Sequence, residues 1–159
     1  MISLSEKTVL LDEIMPLIRE RLAAGENVHF SPGGTSMLPM LMPGRDSVVL
    51  SPVPGRLRRG DLPLYQRKNG QYTLHRVISA GEQYTCCGDH QVEPEYGIEH
   101  GQMIAVVTSF TRQGKRISVD ALAYRAYYCL WMASRPLRYA WRKGKGILKQ
   151  IARRCMGRE

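Results

Sequence analysis

From Asn27 to about Ser118 the chain is broken into short β-branched runs, and this punctuation limits its folding more than any other feature. The runs are "SVVLSPV", "LPLYQRK", "QYTLHRVI", "QYTCCG", "GQMIAVVTSFTR" and "RISVD", parted by Gly, Pro and Asn-Gly signals. Runs this short, rich in Val, Ile, Thr and Tyr, suit strands rather than helices. The pattern predicts a compact, mainly β domain of mostly antiparallel sheets, an open barrel or a sandwich. Asn69-Gly70 gives the sharpest local signal. A two-residue type I′ turn needs positive φ at both positions, and this dipeptide would join "LPLYQRK" to "QYTLHRVI" as a hairpin. Pairing Lys68 with Gln71 then sets His75 opposite Leu64 and on the same face as Val77, partly buried, with Lys68 at the exposed tip.

The flanks read differently. "SEKTVLLDEIMPLIRERLAAGE" offers Ser5 as a cap and places Val9, Leu10, Ile14, Leu17, Ile18 and Leu22 at three-and-four spacing, ending near Gly25. It predicts an amphipathic helix with a bend at Pro16, packed on the β-body or else lying on a membrane surface or binding a partner. After Asp120, "ALAYRAYYCLWMASR" and "LRYAWRKGKGILKQIARR" predict helical pieces rich in Tyr, Trp and Arg. The expected organisation is an N-terminal helix over 1–26, a β catalytic domain over 27–118 and a basic aromatic helical tail over 119–159.

At 159 residues with 43% apolar content, the chain can build one real core. Its net charge of +9 is uneven. Residues 112–159 hold 13 Lys/Arg against 2 Asp/Glu, whereas residues 1–111 hold 10 against 12. Basicity is therefore a property of the tail. Cys86, Cys87, Cys129 and Cys155 lack the C-x-x-C pairing of a zinc site, and are expected to be reduced thiols. No secretory signal is visible, and no apolar run reaches the length of a membrane span. A cytoplasmic or peripheral membrane location is expected.

The chemistry centres on "GGTSMLPML". Gly33 and Gly34 give the backbone freedom and keep side chains away from Ser36, while Pro39 fixes the exit of the turn. A serine hydroxyl becomes a useful nucleophile when a base within hydrogen-bond reach takes its proton and a third group orients that base. Of four histidines, His75 has the best context, being a shielded strand position followed by Arg76 and an apolar pair. An imidazole is mostly neutral at pH 7, whereas a lysine at a hairpin tip is not. The orienting carboxylate is left open among Asp89, Glu93 and Glu95 in "CCGDHQVEPE".

The order "GTSMLP", "GDLPLY", "HRVI", "GDH" resembles the boxes of the signal peptidase I family over roughly residues 33–107. The likeness is greatest to the endoplasmic-reticulum-type branch, also found in archaea and sporulating bacteria, in which His replaces the lysine base. The resemblance implies a coiled β fold and hydrolysis of a peptide bond after small residues, without metal or cofactor. It matches Ser36 to the acylated nucleophile and His75 to the general base. Asp89 matches the aspartate of a G-D-N box, and Glu95 a second acidic residue completing the triad. Met37 and Pro39 match the residues that shape the nucleophile loop. Three positions depart from the pattern. Gly34 stands where many relatives place an oxyanion-assisting Ser, leaving main-chain N–H groups such as that of Ser36 to serve. Pro63 interrupts a normally regular strand, and His90 replaces Asn. No run of this sequence matches the N-terminal membrane anchor of the family.

Two other functions fit the same residues. One is a self-cleaving peptidase of the SOS-repressor type, for which Ala24-Gly25 would be the scissile bond. The other is a module that binds an extended peptide by strand addition without cutting it. Partners follow the same division: a peptide or preprotein for the body, and for the tail an anionic membrane surface, with a solvated or partner-binding face as the alternative. Tyr124, Tyr127, Tyr128, Trp131, Tyr139 and Trp141 among arginines suit an interfacial belt. The same cations would bind nucleic acid only non-specifically, through phosphates.

Overall fold

In the computed structural model the structure describes residues 4–141, with side chains from residue 11 onward. The order is helix α1 (Leu4–Ala23), strands β1 (Val28–Phe30), β2 (Ser47–Ser51), β3 (Pro63–Gln66), β4 (Tyr72–Leu74), β5 (Arg76–Ala80), β6 (Tyr84–Cys87) and β7 (Glu95–Ile98), a 3-10 turn at His100–Gln102, strands β8 (Met103–Arg112) and β9 (Lys115–Ser118), and helix α2 (Leu122–Ala133). Helical backbone resumes over 135–141. Cys155 and the rest of the basic tail lie outside the described residues.

The strands form two antiparallel sheets, neither closed on itself. One runs β1-β2-β8-β3-β4 with β9 also on β8; the other runs β5-β6-β7. β8 is the spine of the larger sheet. It pairs with β2 through Val106–Thr111 on one side, and on the other with β3 and then β9. Register shifts at Val49/Leu50, Leu64/Tyr65, Val77/Ser79 and Tyr84/Cys86 bend these ladders. Side chains alternate across β3 and β8 with period two. Leu64, Ala105 and Val107 join a core with Met15, Ile18 and Leu22 of α1 and Tyr124 of α2. Tyr65 and Val106 instead join Val77, Tyr84, Cys86 and Ile98 of the smaller sheet. Both helices thus share the main core with the sheet. Each fully buried Leu, Met or Phe side chain there contributes about 1.5–3 kcal/mol.

Several expectations are corrected by this arrangement. The run "QYTLHRVI" is two strands, not one, and the chain leaves the larger sheet and enters the smaller one at His75. The hairpin loop has three residues: Arg67 pairs with Gln71, and Gly70 takes φ +87° while Asn69 stays at negative φ. A type I turn closed by a left-handed glycine satisfies the same Asn-Gly signal as a type I′ turn, and shifts the register by one. His75 therefore donates its N–H to Pro63 O at 3.3 Å, and Leu64 faces Leu74. Pro63 begins β3, where a missing N–H is tolerated.

The apolar face of α1 is also rotated from the expected one. Met15, Ile18 and Leu22 are buried and Leu11 packs against them, whereas Ile14 and Leu17 are exposed. The helix runs through Pro16 and ends in a Schellman cap, with Gly25 at φ +77°, Gly25 N–H on Leu22 O and Glu26 N–H on Arg21 O, both 3.0 Å. Ala24-Gly25 is a helix cap here rather than an extended segment. No helix among the described residues is long and apolar enough to cross a membrane.

Candidate functional site

Ser36 lies in the long turn between β1 and β2, half-buried, with Thr35 exposed before it and Met37 buried after it. Met37, Met40 and Leu41 fix the loop in the main core, the Leu38–Pro39 peptide is cis, and Pro39 faces out. Gly34 is not in the left-handed region, and a Cβ there would touch nothing within 4 Å. It leaves the approach to Ser36 open rather than enabling an unusual backbone. The required glycine is Gly88: a Cβ on it would sit 2.5 Å from Ser36 O and 3.0 Å from Ser36 Cβ. His90 N–H donates to Ser36 O at 2.8 Å, so the "GDH" turn is stapled to the serine loop.

His75 is buried at the corner between the sheets. Its Nδ1 lies 3.2 Å from Glu95 Oε1 and 3.3 Å from the Tyr65 hydroxyl. Tyr65 donates to Glu95 Oε2 at 2.9 Å, as does Arg67 Nε, and Arg67 Nη2 holds Oε1 in a second bond. A carboxylate only accepts, so its contact with Nδ1 places the imidazole proton there and leaves Nε2 with a lone pair. Glu95 reaches this position because β7 starts opposite Cys86, one strand away from β5.

Burial lowers the His75 imidazole to about 4; the Glu95 carboxylate pulls it upward, and the Arg67 guanidinium adds to the lowering. His75 is neutral at pH 7 and can accept a proton. Burial works to raise Glu95, but hydrogen bonds from Arg67 and Tyr65, with the Arg67 charge, outweigh it, so the carboxyl stays ionised. Burial, then the nearby Glu95 charge, keeps the Tyr65 hydroxyl protonated.

Asp89 is placed elsewhere. Its carboxylate is engaged by Arg76 through Nε and Nη2 at 2.8 and 2.7 Å, rather than by His75. Both side chains are buried. Arg76 also donates to Gly60 O at 3.1 Å and the Tyr124 hydroxyl at 2.9 Å, and its guanidinium sits 5.8 and 5.6 Å from the Tyr124 and Tyr128 rings. The pair binds β5, the "GDH" turn, the turn at Gly60 and α2 together. Asp61 of "GDLPLY" caps its own turn, accepting from Arg58 N–H at 2.7 Å. Glu93 is exposed, and Lys68 projects from the hairpin tip. The Cys86 thiol is pushed up to about 12 by burial, and burial raises Cys87 as well, so neither is a thiolate at neutral pH.

Ser36 and His75 line one cavity of about 340 Å³ with Gly34, Met37, Arg67 and Leu74. Among the described residues no direct hydrogen bond joins the serine hydroxyl to the imidazole; both residues line this one open space. Phe30 and Tyr72–Leu74, which also line it, belong to β1 and β4, the end strands of the sheet path, each paired on one side only. Among the described residues no group of three His, Cys, Asp or Glu converges as a metal site.

The structure thus brings together Ser36, Gly34, Met37, His75 and Glu95, and sets Asp89 apart as a structural partner. Sequence reasoning missed Tyr65, Arg67, Arg76 and Gly88, although each lies in or beside a quoted box. Comparison with family models, with curated proteins and with solved structures returned no match.

Proposed function

We propose that the chain is a serine endopeptidase of the signal-peptidase-like kind, cutting a signal or leader peptide that lies extended in the Ser36 cavity. The observation that carries this reading is the Arg67–Glu95–His75 relay opening on the cavity that Ser36 also lines. In the proposed reaction Ser36 Oγ attacks the scissile carbonyl while its proton passes to His75 Nε2. The imidazolium is stabilised by Glu95, itself held by Arg67 and Tyr65. The oxyanion is taken by main-chain N–H groups, that of Ser36 among them. His75 returns the proton to the leaving amine, and water then opens the acyl-serine with His75 again as base. The end strands β1 and β4 can each pair with an extended substrate. Two sheets hinged at His75, read as an open barrel, belong to this proposal, as does a place in the cytoplasm or on a membrane surface.

Cleavage of a mixed peptide library, followed by mass spectrometry, tests the reading. Ser36→Ala and His75→Ala should each abolish new termini while leaving a folded protein; full activity in either removes that residue from the mechanism. The second reading, peptide capture without turnover, draws on the missing serine–imidazole hydrogen bond. It predicts that a library peptide binds without being cut, equally well to Ser36→Ala.

A further inference from the structure

Helix α2 and the helical backbone after it have two distinct faces. The inner one holds the aromatics. Tyr124 and Met132 are buried, Tyr127 stacks on Trp131 at 6.0 Å, and Tyr128 lies against Gly60. Arg138 covers the Trp131 ring at 3.6 Å and donates to Asp89 O, while Arg135 donates to Val92 O and to Cys87 Sγ. Of the residues expected to form an interfacial belt, Tyr124, Tyr127, Tyr128 and Trp131 are therefore turned inward, whereas Tyr139 and Trp141 are exposed.

The outer face is apolar. Leu122, Leu130, Leu137 and Trp141 are 82%, 72%, 74% and 66% exposed, and Ala126 and Ala133 between them are exposed too. Their spacings are close to whole helical turns, so at the helical repeat the four large side chains fall within an arc of roughly 100°. A helix resting on a water-facing protein normally points its polar residues outward. Here the outward stripe is apolar as well as the inner face.

Charge decides what covers this stripe. Residues 112–159 carry 13 Lys/Arg against 2 Asp/Glu, and the sequence after Trp141 interleaves seven Lys/Arg with Ile147, Leu148 and Ile151. A second copy of the chain would bring the same excess of positive charge to the contact. A nucleic acid would use the cations but has no complement for a row of leucines. An anionic lipid surface suits both, since apolar side chains enter the acyl boundary while cations meet the headgroups.

We propose that the outward face of α2 and its continuation to Trp141 is a docking face for anionic phospholipid bilayers, seated through Leu122, Leu130, Leu137 and Trp141. The face is built from residues outside the Ser36 cavity, so its test needs no peptidase turnover. The full chain is sedimented with vesicles of phosphatidylcholine alone and with added phosphatidylglycerol. Binding should be at least about tenfold tighter on the anionic vesicles and weaken with salt. Leu130→Glu with Leu137→Glu should remove most of it at an unchanged melting temperature. Leu130→Ser with Leu137→Ser, which adds no charge, should weaken binding in the same direction. Equal binding to neutral vesicles, or no loss in both double variants, overturns the proposal. So does a dimer that these substitutions dissolve, which assigns the stripe to a second copy. Duplex DNA bound as tightly as the vesicles, and indifferent to the substitutions, overturns it as well.

Discussion

Asp89 and Glu95 come from one short stretch of sequence, yet the fold gives them opposite surroundings. Asp89 faces Arg76 in a closed, fully buried pair, with every Arg76 donor group spent on the protein. Glu95 is part-exposed, held from behind by Arg67 and Tyr65, and turned toward His75 at the edge of a cavity. The first arrangement can only hold elements together. The second leaves a lone pair free to move a proton. A carboxylate near a histidine in sequence is thus weak evidence of a triad until its cation is known.

The largest expected effect breaks that comparison on the catalytic side. Glu95→Gln should lower kcat by about 10³–10⁴-fold, the scale of losing the orienting carboxylate from a Ser–His pair, with little change in melting temperature. Asp89→Asn should do the reverse. A buried guanidinium left without its counter-charge costs about 3–5 kcal/mol, so denaturant melts should shift strongly while the remaining folded protein keeps its kcat. Equal effects of both substitutions on kcat and on stability would erase the distinction drawn here. Next in size is Gly88→Ala, whose Cβ would meet Ser36 O at 2.5 Å. Displacing the serine loop should cost about 1–3 kcal/mol, by analogy with overpacking, and cut turnover more than Gly34→Ala, which meets nothing.

The smallest effect sharpens the role of Arg67. Its charge helps to hold His75 at about 4, so Arg67→Gln should move the His75 titration, followed by NMR, upward toward the ordinary 6.5. The acid limb of kcat/KM should follow it, lying near pH 4 in the parent. The sign for stability is fixed by the same shift. Between pH 6.5 and about 4 the unfolded chain takes up a proton that folded His75 refuses, so stability falls as the pH drops through that window. His75→Gln should flatten this slope. Glu95, held below its ordinary 4.5, stabilises above that pH, and its contribution is lost as the pH falls beneath it.

Much of the fold was legible because turns and periodicity are local. Six predicted runs cover all or part of seven of the nine strands among the described residues, and the helix expected to end near Gly25 ends at Ala23. What failed was non-local. "VHF" and "EYGI" are too short, the latter holding a glycine, to stand out without the ladders that pair them. The rotation of α1 is set by where the sheet accepts Met15 and Ile18, not by the helix pattern alone. Ser36, His75 and the pool of carboxylates could be named from order and residue type. That Glu95 rather than Asp89 stands beside His75 depends on the bulged β6–β7 register and on the buried Arg76 that engages Asp89.

The central claim is that His75 activates the Ser36 hydroxyl, and a phosphonate ester that reacts only with activated serines tests it most directly. Intact mass and peptide mapping at pH 7 should show a single adduct on Ser36 in the parent and none in His75→Ala. No adduct in the parent, labelling of another serine, or an equal rate in His75→Ala would contradict the account.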